Sequence, residues 1–200
     1  MTKEEIAPGI IIYSNVIPNS ETLYKDIEEG LISAGMNWSQ AEVKDSKEDP
    51  GVNTESRDTS TFGIPYQGKV VDIDGGSLSE IFISNLNNLF FESFHSVEED
   101  YKSFYGVDTV WHDTYGVLKY GKGQKFTNHI DDHQLYHRRI STVYYLNEDY
   151  TGGEINFPRF NLNIKPKANQ MIMFPSTYIF NHSVSPVIEG ERYAVVSWLR

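Results

Sequence analysis

Cysteine is missing altogether from these 200 residues. Its absence excludes disulfides, iron–sulfur clusters and thiolate zinc sites, so any bound metal must be held by His, Asp or Glu. Positive charge is also scarce. Seventeen Lys and Arg stand against 28 Asp and Glu, a formal net charge of −11. Phosphate backbones and anionic membrane surfaces are bound chiefly by Lys and Arg, so neither nucleic acid nor membrane is an expected partner. No apolar run approaches the ~20 residues of a membrane-spanning helix. The opening Met1-Thr2-Lys3-Glu4-Glu5 has neither the basic nor the apolar region of a signal peptide, and a cytoplasmic location is the expectation.

What is present is an ordinary core. Hydrophobic residues make up 39% and aromatics 14%, enough for one domain with a bias towards β structure. A short apolar run over 9–13 predicts a first strand. Ser20 is placed to cap a helix carrying Leu23, Ile27 and Leu31, ending at Gly35. The polar stretch 44–62, with Pro50-Gly51 inside it, reads as a long mobile loop. Ser77-Leu78-Ser79-Glu80 is a capping box before an apolar helical stripe that includes Phe82, Leu86, Phe90 and Phe94. Ser96-Val97-Glu98-Glu99 has the same form and predicts a second, short helix stopping at Gly106. From Asp108 the pattern changes to short Val-, Ile-, Tyr- and Phe-rich runs between turn residues. They predict about eight strands, over 109–119, 126–130, 140–146, 154–157, 161–164, 171–174, 182–187 and 192–199. The expectation is one domain over 1–200: a helical N-terminal support over 1–107, and a jelly-roll core over 108–200. The fold class is α+β, mainly β, a double-stranded β-helix with the helices packed on one sheet.

Chemistry concentrates in the later strands. His129 and Asp131 are two apart, so on extended backbone they share a face. His182 opens a later strand run, and Arg192 opens the next. Two histidines and one carboxylate form the facial triad of non-haem Fe(II) oxygenases, which leaves metal positions open for substrate chemistry. An arginine nearby can hold the far carboxylate of a metal-bound diacid. A lone His-x-Asp is a weak signal and usually a solvated loop. Here the distant histidine and arginine must be explained too. Arg192 alternates with Ala194 and Val196, so its face of the strand is buried, and a buried guanidinium needs a fixed carboxylate partner. Tyr120 and Tyr145 flank the site in sequence, although either could be a plain core aromatic. His129 and His133 are four apart, but Ile130 stands where a zinc protease needs Glu. His133 and His137 read as loop residues, His112 as a structural residue on a strand and His95 as one at a helix end.

The chain resembles the 2-oxoglutarate- and Fe(II)-dependent oxygenases, in their prolyl 4-hydroxylase-like branch. The resemblance runs from about Tyr115 to the C-terminus. It is carried by Tyr120-Gly121, His129-x-Asp131, Arg139-x-x-Thr142, Tyr144-Tyr145-Leu146-Asn147, Gly152-Gly153-Glu154-x-x-Phe157, Pro166-Lys167-Ala168, Phe174-Pro175, His182-x-Val184-x-Pro186-Val187 and Arg192-Tyr193-Ala194 through Trp198. Upstream, Arg57-Asp58-Thr59-Ser60 is weakly similar to a family motif beside a substrate-covering loop. One departure is Asn169, where the family commonly has Gly; Asn tolerates the left-handed conformation.

The resemblance implies Fe(II) held by His129, Asp131 and His182, and 2-oxoglutarate and O2 as co-substrates, with ascorbate as reductant. It implies that Arg192 and Tyr145 bind the far carboxylate of 2-oxoglutarate, that Tyr120 bonds the co-substrate near the metal, and that Phe126 and Trp198 wall the pocket. The expected activity is that of a peptidyl-prolyl 4-dioxygenase, hydroxylating a proline in a peptide or protein with release of succinate and CO2. The same chemistry on another amino acid, a small molecule or an alkylated nucleic acid is the alternative. A nucleic-acid dealkylase would want a basic groove and a second arginine where Trp198 stands. A non-catalytic jelly-roll module is the third reading, and the intact triad and arginine speak against it.

Overall fold

The computed structural model describes residues 1–44, 50–71, 73, 75–132 and 137–200. The chain opens with β1 (Thr2–Ala7), β2 (Ile10–Ser14), α1 (Leu23–Ser33) and β3 (Ser39–Gln40). After β4 (Val43–Lys44), β5 (Pro50–Gly51) and β6 (Ser60–Ile64) comes α2 (Leu78–Tyr105). Then follow β7 (Tyr115–Tyr120), β8 (Phe126–His129), β9 (Ile140–Tyr145), β10 (Thr151–Gly152), β11 (Ile155–Phe157) and β12 (Leu162–Ile164). The chain ends with β13 (Gln170–Pro175), β14 (His182–Val184), β15 (Val187–Glu189) and β16 (Arg192–Leu199).

Two antiparallel sheets make the jelly roll. The larger runs β1-β2-β13-β9-β16-β7-β6-β3, and the smaller β12-β11-β14-β8. Successive side chains of a strand point to opposite faces, and the central strand β9 shows what each face meets. Tyr144 joins a cluster with Ile27 and Leu31 of α1 and Phe90, Phe94 and Val97 of α2. Its neighbours Val143 and Tyr145 point the other way, to Ile155 and Phe157 of the smaller sheet. Both faces of β9 are therefore covered, and all six of its residues are buried. The helices lie on one side of the large sheet, and the space between the two sheets is left for the site.

The N-terminal part differs from the expected helical support. β1, β2, β3 and β6 extend the large sheet at both edges. The stretch 44–62 carries β5 and the start of β6, and its residues 45–49 lie outside the described residues. α1 begins at Leu23 with Thr22 as N-cap, not Ser20, and makes no side-chain cap bond. The expected second short helix does not exist separately, because α2 runs unbroken through Ser96. Phe90, Phe94, Val97 and Tyr101 are buried at helical spacing across that point, and Glu99 pairs forward with Lys102 rather than back towards Ser96. Packing of a continuous apolar stripe overrides a local cap signal. The expected strand over 182–187 is two strands, divided at Ser185-Pro186, since Pro cannot donate to a ladder. The expected strand over 109–119 begins only at Tyr115.

Ser77 is a full capping box. The Glu80 N–H donates to Ser77 Oγ at 3.3 Å, and the Ser77 N–H donates to Glu80 Oε2 at 2.8 Å. Ser77→Ala should destabilise the protein by about 1 kcal/mol, lowering Tm by about 2–4 °C in a chain of this size. Thermal unfolding followed by circular dichroism checks this, and an unchanged Tm would remove the cap from the account of α2.

Candidate functional site

Strand register builds the first half of the site. β14 runs antiparallel to β8, with His182 directly opposite His129. Opposed residues have Cβ atoms about 5 Å apart, and the two imidazole centroids stand at 4.3 Å. Asp131 follows β8 and turns its carboxylate between them, Oδ1 at 3.6 Å from His129 Nε2 and Oδ2 at 3.7 Å from His182 Nε2. One donor atom from each of the three lies within 4.8 Å of the others, the only such group of three or more among the described residues.

Neighbouring groups fix the orientation of each. His129 Nδ1 lies 2.8 Å from the Thr127 carbonyl, and His182 Nδ1 lies 3.1 Å from the Phe180 carbonyl. A carbonyl only accepts, so each Nδ1 carries a proton and each Nε2 faces the centre. Phe126 stacks on His129 at 3.5 Å, and Phe174 meets His182 edge-on at 4.8 Å. Burial pushes the His182 imidazole down to about 4, against the pull of Asp131, so it is neutral at pH 7. Burial alone would raise the Asp131 carboxyl. The two histidines and the Ser141 hydroxyl outweigh it and hold the group well below the usual carboxylate range. Two imidazoles with Nε2 turned inward and an ionised carboxylate are the donor set a divalent transition metal takes.

Ser141 Oγ donates to Asp131 Oδ2 at 2.7 Å and lies 2.8 Å from Ser176 Oγ. Partners of metal-binding groups are typically worth 10- to 100-fold in affinity. Ser141→Ala should therefore weaken metal binding by about that factor, as read by calorimetric titration with Mn(II). Unaltered affinity would mean that Asp131 needs no positioning from Ser141.

The second half lies along β16. Arg192 stands opposite Tyr120 of β7, and Ala194 opposite Tyr145 of β9. The guanidinium is only 1% exposed, 4.8 Å from the Tyr120 ring and 5.0 Å from the Tyr145 ring. It makes no ion pair with any described residue. Its Nε and Nη1 and the hydroxyls of Tyr145 and Tyr150 are buried without a well-aligned hydrogen bond, although both hydroxyls lie close enough to the guanidinium to interact with it. Buried polar groups are nearly always satisfied, and an anion placed among these groups would satisfy them. Gly153 gives it room. Its φ is +66°, and a Cβ there would stand 3.0 Å from Arg192 Cδ and 3.0 Å from Tyr150 Cε2.

His129, Asp131, His182 and Arg192 line one cavity of about 430 Å³, together with Tyr120, Phe126 and Trp198. The other histidines lie elsewhere. His112 is buried, with Nε2 2.9 Å from Glu98 Oε1 and its ring stacked on Tyr66. His95 is inside α2 rather than at its end. His137 is an exposed residue with φ +36°, and His133 lies outside the described residues. Tyr145 lies beside Arg192; Tyr150 was not singled out, because one tyrosine between two strands carries no signal until its hydroxyl is placed against the guanidinium. Arg138 also escaped notice. It stacks on Trp198 at 3.5 Å and donates to Asp113 Oδ2 at 3.2 Å.

The geometry agrees with comparisons to known proteins. Residues 115–200 match the 2OG-Fe(II) oxygenase superfamily. Within this segment the chain is similar to that superfamily. Tyr120, His129, Asp131, Tyr145, His182 and Arg192 all lie inside the matched superfamily segment. A PKHD-type hydroxylase of Prochlorococcus marinus (strain MIT 9215) is 39% identical over 84 residues, 39% of this chain and 37% of that protein. The chain thus spans little more than a third of the length of that relative. Prolyl 3-hydroxylase 2 of Rattus norvegicus is 38% identical over 66 residues, 30% of this chain and 9% of that protein. Among solved structures, a Pseudomonas putida prolyl-4-hydroxylase superposes with a TM-score of 0.66 at 17% identity, covering 96% of this chain and 92% of that one. A Trichoplax adhaerens prolyl hydroxylase, in complex with a hypoxia-inducible-factor degradation-domain peptide, gives 0.67 at 20% identity, covering 96% and 83%. These likenesses show the jelly-roll fold. No helix among the described residues is long and apolar enough to cross a membrane.

Proposed function

We propose that the chain is an Fe(II)- and 2-oxoglutarate-dependent dioxygenase that hydroxylates a proline in a peptide or protein. The observation that carries this is a single cavity with a His-Asp-His group at one place and a buried, unpartnered guanidinium at another. A small 2-oxo diacid fits both, with one end at the metal and the far carboxylate on Arg192. His129, Asp131 and His182 would hold the metal. Arg192 and Tyr145 would bind the far carboxylate, and Tyr120 would bond the co-substrate nearer the metal. When bound, Fe(II) supplies the oxidative chemistry in which O2 and 2-oxoglutarate are converted to succinate and CO2 while one oxygen atom enters the substrate C–H bond. Ascorbate serves as auxiliary reductant.

The chain's own residues supply orientation and dryness. Phe126 and Trp198 wall the cavity, and Arg138 fixes Trp198 by stacking on it. Phe174 and Phe157 exclude water behind His182. Residues 56–58 strap the edge strand β8, through the Thr127 N–H to the Ser56 carbonyl at 2.8 Å and the Asp58 N–H to the Lys125 carbonyl at 2.9 Å. Ser56 and Arg57 then line the cavity beside the metal group. A proline-containing segment entering there is the substrate we infer, in line with the prolyl hydroxylases among the relatives and fold neighbours. The helices and the large sheet share one core, which supports residues 1–200 acting as one domain. A cytoplasmic location suits the absence of cysteine.

The test is 2-oxoglutarate turnover by purified protein with Fe(II) and ascorbate over a library of proline-containing peptides, followed by mass spectrometry. A peptide gaining one oxygen atom on proline supports the reading. Turnover confined to other substrates removes the proline assignment but keeps the chemistry. No turnover with any substrate, together with no 2-oxoglutarate binding, removes both.

A further inference from the structure

We propose that the Tyr150 hydroxyl is a third binding group, beside Arg192 and Tyr145, for the remote carboxylate of the diacid, and that it helps select a diacid over a 2-oxo monoacid. This rests on the function proposed above. Three observations carry it. First, Tyr150 is 5% exposed, and its hydroxyl lies against the Arg192 guanidinium without a well-aligned hydrogen bond, in the cluster where Tyr145 and two nitrogens of Arg192 lack one too. A carboxylate offers about four lone-pair sites. That is enough for one carboxylate to accept from both phenols and from the guanidinium at once.

Second, the ring is locked from both sides. Lys165 Nζ stands 3.1 Å from the Tyr150 ring centroid and donates to the Tyr150 carbonyl at 2.8 Å and the Gly152 carbonyl at 3.0 Å. Tyr150 and Arg192 both pack against Gly153. A group held this firmly loses little entropy when a ligand arrives. Third, no described carboxylate competes for Arg192. Among the described residues no carboxylate forms an ion pair with the guanidinium, and its complement is an anionic end-group rather than a neutral one.

Tyr150→Phe removes only the hydroxyl. In Mn(II)-loaded protein without dioxygen, calorimetric titration should show 2-oxoglutarate affinity falling about tenfold or more, as for a hydrogen bond to a charged group. Affinity for 2-oxobutanoate, which lacks the second carboxylate, should stay the same. The ligand-free variant should unfold at the same temperature or higher, because an orphaned hydroxyl has been removed. Equal 2-oxoglutarate affinities in the two proteins would overturn the proposal, as would equal losses for both ligands. A lower Tm or a failure to fold would overturn it too, by making the hydroxyl structural. If the wild-type protein binds no 2-oxoglutarate, the function proposed above fails and this inference fails with it. If the wild type binds and the variant binds equally well, only this inference fails.

Discussion

Replacing Asp131 by alanine should take 2-oxoglutarate turnover below detection while the chain still folds. Asp131 is the only carboxylate in the metal-competent group among the described residues. Without it two imidazoles remain, and Fe(II), which favours oxygen donors beside nitrogen, loses the ligand that supplies negative charge. The fold should tolerate the change. Ser141 keeps Ser176 at 2.8 Å, the backbone hydrogen bond from the Asp132 N–H to the Ser176 carbonyl is untouched, and removing a carboxylate that burial disfavours offsets part of what is lost. The check is paired: metal titration and turnover on one hand, thermal unfolding on the other. A folded variant working at full speed would refute the triad assignment, and one that fails to fold would make Asp131 a structural residue first.

Arg192→Met should raise the 2-oxoglutarate concentration for half-maximal turnover by about 100-fold, the loss expected for charge-assisted, two-pronged binding of a carboxylate. Arg192 anchors an end of the diacid remote from the reacting carbon, so the rate at saturation should change much less. Stability supplies a second, independent reading. The guanidinium is buried with two orphaned nitrogens, and methionine fills similar volume with no such groups, so the ligand-free variant should be at least as stable as the wild type. Saturating 2-oxoglutarate should stabilise the wild type by about 2.7 kcal/mol at 100 times Kd, and the variant far less at the same concentration. A variant that has lost turnover at every 2-oxoglutarate concentration, with unchanged affinity, would place Arg192 outside the anion pocket.

Much of the site was legible because strand periodicity is simple. His129-x-Asp131 put two donors on one side of an extended segment, and the alternation Arg192, Ala194, Val196 announced a buried guanidinium. The register that sets His182 opposite His129 was not legible. It depends on which strands pair, and pairing is a long-range property that local pattern does not encode. The orphaned hydroxyl of Tyr150 is likewise visible only once three strands and a turn have met. In the fold, the core strands β9, β13 and β16 were read nearly to their ends, since each is a continuous apolar run. The Ser96 motif misled because a cap signal is worth about 1 kcal/mol, whereas the stripe from Phe90 to Tyr101 buries several aromatic side chains against the sheet. β1 went unseen because Thr2-Lys3-Glu4-Glu5 is polar and mostly exposed. It is a strand only because β2 offers it an edge.

The most direct measurement is an anaerobic titration with Fe(II) followed by 2-oxoglutarate, monitored by visible absorption. A weak charge-transfer band should appear only when both are present, and should be absent from Asp131→Ala. Wild-type protein that shows no band, although calorimetry finds both ligands bound, would contradict a shared cavity in which the diacid chelates a metal held by His129, Asp131 and His182.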